Sequence, residues 1–343
     1  MSEIWDPWSI SEGGFPRKGT SAERLRFLLN YAVLAPSSHN TQPWLFKIVD
    51  DAVELHADRT RALAVVDPED RELIMSCGAV LFHLRLALHH FCYEGVVQLF
   101  PDGSKPDLLA HVSFGGSYQP TAEENSLFEV ITKRRTNRMP FEARQVPERV
   151  LRELQSSASR EGAWLHIIEG EDNRNRVADM IAEGDRIQMA DRRFRREVAA
   201  WIHPNRTASH DGLPGYALGY GDLISSVAPL VVRTFDIGKG QAAKDRQLAA
   251  GSPILAVLGT DGDSPVFWLA AGQSLARVLL RARIEEVWAS FLNQPIEIPE
   301  LRTKLGDLLN RRGFPQLLLR MGYGPDVKPT PRRAAGEVLV RSR

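Results

Sequence analysis

A stiff polar loop, Ala35-Pro36-Ser37-Ser38-His39-Asn40-Thr41-Gln42-Pro43-Trp44, sits between two segments of different periodicity. Upstream, residues 22–33 place Leu25, Phe27, Leu28, Leu29 and Ala32 at helical spacing, and downstream Leu45-Phe46-Lys47-Ile48-Val49 reads as a strand. Pro36 and Pro43 fix φ and remove their own N–H groups, so the loop has little freedom. Ser37, Ser38 and Asn40 then present short side chains and backbone N–H groups to a flat, polar partner. The same residues also describe an ordinary helix-to-strand turn. Either way, a helix feeding a strand through ten fixed residues directs the chain towards an α+β arrangement.

With 343 residues, the default expectation is two domains. The 43 basic and 43 acidic residues cancel, which argues against a nucleic-acid or membrane-surface partner. No apolar run of about 18 residues offers a bilayer span, and the acidic, aromatic start Met1-Ser2-Glu3-Ile4-Trp5-Asp6 lacks the pattern of an export signal. Cys77 and Cys92 fall in one apolar helical stretch and read as buried, reduced thiols of a cytoplasmic protein. The nine histidines show no metal-ligand spacing, so no metal is expected. No glycine-rich dinucleotide fingerprint follows a strand.

Residues 1–20 read as an irregular arm. Two strands at 45–49 and 53–57 flank a hairpin turn at Asp50-Asp51, and a long helix at 69–91 is closed by Gly95. Short strands at 96–100 and 108–114 lead to Gly115-Gly116-Ser117, which reads as an interdomain link. A helix at 122–135 and another from Pro147 precede a strand at 163–168. A weak repeat then becomes visible: Trp164-Leu165 echoes Trp44-Leu45, and the segment beginning Gly272-Gln273-Ser274-Leu275 echoes the one beginning Gly78. Between its echoes the second copy carries an insertion at about 172–250, read as a helix plus a loop-like lid through 203–216. Strands at 253–259, 286–291 and 315–322 and helices at 268–283 and 299–310 complete the copy. Val338-Leu339-Val340 is placed to add an edge strand to the first half.

The Pro-Ser-Ser loop resembles the flavin-edge loop of the FMN-dependent nitroreductase family. Lys133-Arg134-Arg135-Thr136-Asn137-Arg138-Met139-Pro140-Phe141 resembles that family's other signature, with one extra residue, Pro140, before the phenylalanine. Without the resemblance, this basic run is an ordinary helix end. In the family each flavin site combines the arginine segment of one subunit with the loop of the other. Here the loop lies at 35–44 and the arginine segment at 133–141, each without a second copy. The resemblance implies an intramolecular pseudo-dimer: two nitroreductase-like α+β halves, 20–118 and 122–343, each a mostly antiparallel sheet flanked by helices, with one FMN site between them. The segment from Pro315 to Pro325, Pro-Gln-Leu-Leu-Leu-Arg-Met-Gly-Tyr-Gly-Pro, is similar to the end of a fused-duplicate, Acg-like branch of the family.

By the same resemblance, Arg134 and Thr136 would hold the phosphate of FMN, a C-terminal arginine, Arg332 or Arg333, would complete that site, and Arg135 would belong to the cofactor-binding segment. Arg138 would set a positive charge beside the flavin ring, and Pro36, Ser37, Ser38 and Asn40 would contact its edge and ribityl chain. A backbone N–H near Ser290 or Phe291 would face N5. No acid–base dyad is needed, because the flavin carries the chemistry. The implied activity is hydride transfer from NADH or NADPH to a nitroaromatic, quinone or similar small acceptor. The alternatives are an FMN-sequestering protein whose insertion covers the flavin, and a fold used only for protein contacts. Fusion of the halves is compatible with a monomer or a homodimer.

Overall fold

A computed structural model describes residues 7–340. Helix α1 (Ser21–Ala32) starts at a reciprocal cap: the Thr20 side chain accepts from the Glu23 N–H while Glu23 reaches back to the Thr20 N–H. Strands β1 (Trp44–Val49) and β2 (Ala52–Ala57) follow, then the long helix α2 (Arg71–His90) and strands β3 (Tyr93–Leu99) and β4 (Leu108–Ser117). Helices α3 (Ala122–Glu129) and α4 (Glu148–Ser159) lead to β5 (Trp164–Ile167). The insertion holds α5 (Glu171–Ala190), α6 (Arg192–Ala200), β6 (Ile202–His203), β7 (Leu213–Pro214), α7 (Asp222–Thr234) and α8 (Gly238–Ala250). After it come β8 (Ile254–Thr260), α9 (Pro265–Ile284), β9 (Trp288–Phe291), α10 (Gln294–Glu297), α11 (Pro299–Leu309), β10 (Phe314–Gly322) and α12 (Ala335–Val338).

Two antiparallel sheets organise the chain, in the orders β1-β2-β4-β3 and β5-β8-β10-β9. Counted along each half, both orders are the same, first-second-fourth-third, and in each the central helix joins the second strand to the third. Those helices, α2 and α9, pack on each other where Gly78 meets Gly272. A Cβ on Gly272 would lie 1.9 Å from the Met75 carbonyl oxygen, and one on Gly78 2.2 Å from that of Leu269. No larger residue lets the two backbones approach so closely. One apolar core, from Phe15 to Val338, runs through both halves, so the halves share an interior instead of forming separate domains. Helix α2 is the one described helix long and apolar enough to cross a membrane, and 83% of its most apolar window is buried inside the protein.

Several expectations are corrected. Gly95 lies inside β3 and does not end the helix, which stops at His90. Gly115, Gly116 and Ser117 are the last residues of β4. The helix expected over 122–135 ends at Glu129, because the β-branched run Val130-Ile131-Thr132 disfavours continuation and Thr136 bridges to Ala289 of β9. Cys77 is buried, but Cys92 is exposed in the turn after α2, at φ 68°. The insertion as a whole is mostly helical, while its segment 203–216 is largely loop, as expected, between the short strands β6 and β7. At the C-terminal end Leu339 makes a single parallel bridge to Phe46, with the Val340 N–H donating to the Phe46 carbonyl at 2.7 Å, which joins the tail to the first sheet as expected. The expected arm falls partly on residues 1–6, outside the described residues.

Candidate functional site

The 35–44 loop is held in an unusual backbone course. His39, Asn40 and Gln42 all have positive φ (48°, 57° and 52°), a region that non-glycine residues rarely occupy. The Ser37 hydroxyl offsets part of that strain by accepting the Gln42 N–H at 2.9 Å. Ser38 Oγ donates to Glu72 near the start of α2. The loop's shape is therefore built in, and it leaves Pro36, Ser37, Ser38 and His39 in the wall of a cavity of about 240 Å³.

The arginine segment reaches the same cavity from the second half. The Asn137 N–H donates to Ala289 O at 3.0 Å, and buried Arg320 of β10 donates to the Asn137 and Met139 carbonyls. Phe141, displaced by the extra Pro140, lies under the Arg320 guanidinium, 4.3 Å from ring centroid to Cζ. So secured, Thr136 and Arg138 line the cavity opposite the loop, and a smaller adjoining pocket brings Pro36, Ser37, Asn40, Thr136, Arg138 and Arg332 together. The two signatures, about a hundred residues apart in sequence, thus meet at one place.

The remaining expected residues are placed as follows. Arg134 is buried and donates through Nη2 to the Leu34 carbonyl at the end of α1, across the boundary between halves. Arg135 stacks over Trp8, 3.8 Å from its ring centroid. Arg332 Nη1 donates to Asn40 Oδ1 at 2.6 Å. Arg333 donates to the Gln42 carbonyl at 3.0 Å and to the Glu337 carbonyl, on the tail side of the loop. Phe291 lines the cavity, and Ser290 lines a neighbouring pocket under the insertion. Asn40 is occupied structurally: its Nδ2 donates to Gly212 O at 2.9 Å and to Pro331 O at 3.0 Å.

That Asn40 contact closes the lid. Gly212 N–H donates to Asn40 O, Gln42 Nε2 donates to His210 O at 2.9 Å, and Arg61 pairs with Asp211. Leu213 then projects into the cavity, with Met189, Phe194 and Val198 of the insertion forming an apolar side.

Arg134 Nε, Arg138 Nη1 and Arg332 Nε are buried without a hydrogen-bond partner. None of the three arginines has a carboxylate partner among the described residues. Burial lowers Arg138 to about 10; burial and then Arg135 lower Arg134 to about 9; burial, then Arg134 and Arg135, lower Arg332 strongly. His39 is held down to about 4 by burial and then by Arg138, so its imidazole is neutral near pH 7. Glu72, Asp185 and Glu297 also line the cavity. Sequence reasoning missed these three and His39. Glu72 follows the expected helix start, whereas Asp185 and Glu297 lie in no recognisable motif, and their convergence depends on how α5 and α10 fold back.

No family model matches the chain. It is 32% identical over 327 residues to "Putative NAD(P)H nitroreductase Rv3131" of Mycobacterium tuberculosis, covering 93% of this chain and 91% of the relative. It is 26% identical over 345 residues to "Probable NAD(P)H nitroreductase PigM" of a Serratia species, covering 94% and 95% of the two chains. Among solved structures, the FMN- and NADPH-dependent nitroreductase NfnB of a Sphingopyxis strain aligns with 63% of this chain and 99% of its own, at 18% identity and a TM-score of 0.41.

Proposed function

The chain belongs to the NAD(P)H nitroreductase family, and on that premise we propose that it is an FMN-dependent oxidoreductase moving a hydride from NADH or NADPH to a nitroaromatic, quinone or similar acceptor. The observation that carries this reading is a group of arginines, buried Arg134 and Arg332 and half-buried Arg138, each with an enclosed N–H atom lacking a partner and none with a carboxylate. A buried charge without a counter-charge is costly, and a dianionic phosphate suits forked guanidinium donors. The residues present therefore fit FMN. Arg134, Arg332 and Thr136 would hold the phosphate, Arg138 would face the ring as a fixed positive charge, and Pro36 and Ser37 would meet the ring edge. Bound there, the flavin supplies the atom that accepts and returns the hydride.

The protein's own contribution is positioning and exclusion of water. Positive-φ residues fix the loop, the Arg320 contacts fix the arginine segment, and Leu213, Met189, Phe194 and Val198 close an apolar side. We read the equal strand orders and the Gly78–Gly272 crossing as the remains of an internal duplication, with the site between copies. One observation favours a second reading, flavin storage with little turnover: the lid is tied to Asn40, Gln42 and Arg61 over the same cavity. Flavin titration followed by anaerobic NADH or NADPH tests both. Bleaching of bound FMN supports the oxidoreductase; bleaching by dithionite alone supports storage; absence of FMN binding overturns both.

A further inference from the structure

Three carboxylates, Glu72 from α2, Asp185 from α5 and Glu297 from α10, line the same cavity as Arg138. Glu72 is provided for: it accepts hydrogen bonds from Ser38 Oγ and from Asn293 Nδ2 (3.3 Å) and lies 3.5 Å from Arg71. The other two are not. Asp185 is 3% exposed; Oδ1 accepts one bond from Gln294 Nε2 at 3.0 Å, and Oδ2 is buried with no partner. The same Gln294 nitrogen also serves Asp245 of α8, at 3.0 Å, so one amide is divided between two acids. Glu297 accepts from Gln188 of α5. Neither Asp185 nor Glu297 forms an ion pair with a described residue.

Resting on the oxidoreductase reading, we propose that the acceptor carries a basic group, an ammonium or amidinium, seated between Asp185 and Glu297 while its reducible end faces Arg138. A cation supplies N–H donors for the open Asp185 oxygen and for Glu297, and a counter-charge in direct contact, which neither Arg186 nor Arg71 makes with them. The protonation state agrees. Burial and then Asp245 push Asp185 up to about 7, and burial and then Glu72 push Glu297 up to about 8. The charged neighbours are Arg186 and Asp245 for Asp185, and Arg71 and Asp67 with Glu72 for Glu297. Near pH 7 the pair therefore holds protons that an arriving cation would displace, so binding should release protons and tighten as pH rises.

Three nitroaromatics of like size test this: 4-nitrobenzylamine, 4-nitrobenzyl alcohol and 4-nitrobenzoate. With FMN-loaded protein and reduced nicotinamide, kcat/KM should favour the amine over the alcohol by at least about tenfold, as charge-assisted hydrogen bonds imply, with the benzoate lowest. Asp185→Asn and Glu297→Gln should each collapse the amine-to-alcohol ratio towards one. Because each variant is read as a ratio, a general loss of folded protein does not imitate the result. Titration calorimetry of 4-nitrobenzylamine into the protein, in buffers of different ionisation enthalpy at pH 7, should show proton release that falls in either variant. That arm needs no flavin or turnover, so it still reads the acid site if FMN proves not to bind. Equal rates for amine and alcohol, a preference for the benzoate, or binding without proton release would overturn the proposal. A kcat/KM that instead falls as pH rises, and loses that limb in Glu297→Gln, would assign Glu297 as a proton donor and equally overturn it.

Discussion

Arg138 is half-buried, its enclosed Nη1 has no partner, and that one atom makes two opposite predictions. Arg138→Ala should weaken FMN binding by about ten- to a hundredfold, the range of a lost charged hydrogen bond. Flavin-free protein should be no less stable for the change, because a half-buried cation without a counter-charge has been removed. Calorimetric titration and a melting curve of each form check the pair; loss of apo stability together with unchanged FMN affinity would make Arg138 structural. The acids set a pH dependence of their own. Asp185 and Asp67 are raised to about 7 and Glu297 to about 8, chiefly by burial, so the folded state holds protons that the unfolded chain has already lost above about pH 4.5. Below about pH 6.5 the histidines His39 and His83, held neutral by burial, act in the opposite sense. Apo stability should therefore fall as pH rises from about 6.5 to 8, and Asp185→Asn should flatten that slope; a melting temperature that climbs over that interval would contradict the assignment. The loop at 35–44 and the arginine segment were legible at this scale because proline, serine and paired arginine in fixed order restrict chemistry locally. Asp185 and Glu297 were not, since each is an ordinary acid until α5 and α10 are brought together.

The lid and the central helix pair behave as separable elements. Asn40 joins the lid by two contacts, Nδ2 to Gly212 O and the Gly212 N–H to Asn40 O, and only the first belongs to its side chain. Asn40→Ala should thus loosen the lid without unfolding it. Amide exchange around 210–213 should quicken, and bulky acceptors should turn over faster; unchanged exchange would show that Arg61–Asp211 and Gln42 hold the lid alone. At the α2–α9 crossing, Gly272→Val should cost several kcal/mol, at or beyond the usual overpacking range, because even a Cβ meets Met75 O at 1.9 Å. A melting temperature close to that of the parent would mean the helices can separate. Periodicity located α1, α2, α9 and most strands within a few residues. It failed where local signals mislead: Gly95 and Gly115 read as breakers but sit in strands.

At the level of the whole molecule, two sheets of equal strand order share one core, and each half supplies one side of a single cavity. The halves' echo could be seen in Trp44 and Trp164 and in Gly78 and Gly272, but their shared interior could not, because contacts between distant segments leave no local pattern. The meeting of Arg138 with Glu72, Asp185 and Glu297 in the wall of one cavity is likewise a property of the assembled chain alone. The central claim is that this cavity was shaped around the phosphate of a flavin. Its most direct measurement is a titration of the purified, flavin-free protein with FMN and, in parallel, with riboflavin, which has the same ring and no phosphate. The account predicts tight FMN binding and riboflavin affinity lower by about a hundredfold or more, as loss of a multiply charged contact implies; equal affinity for the two, or none for either, would contradict it.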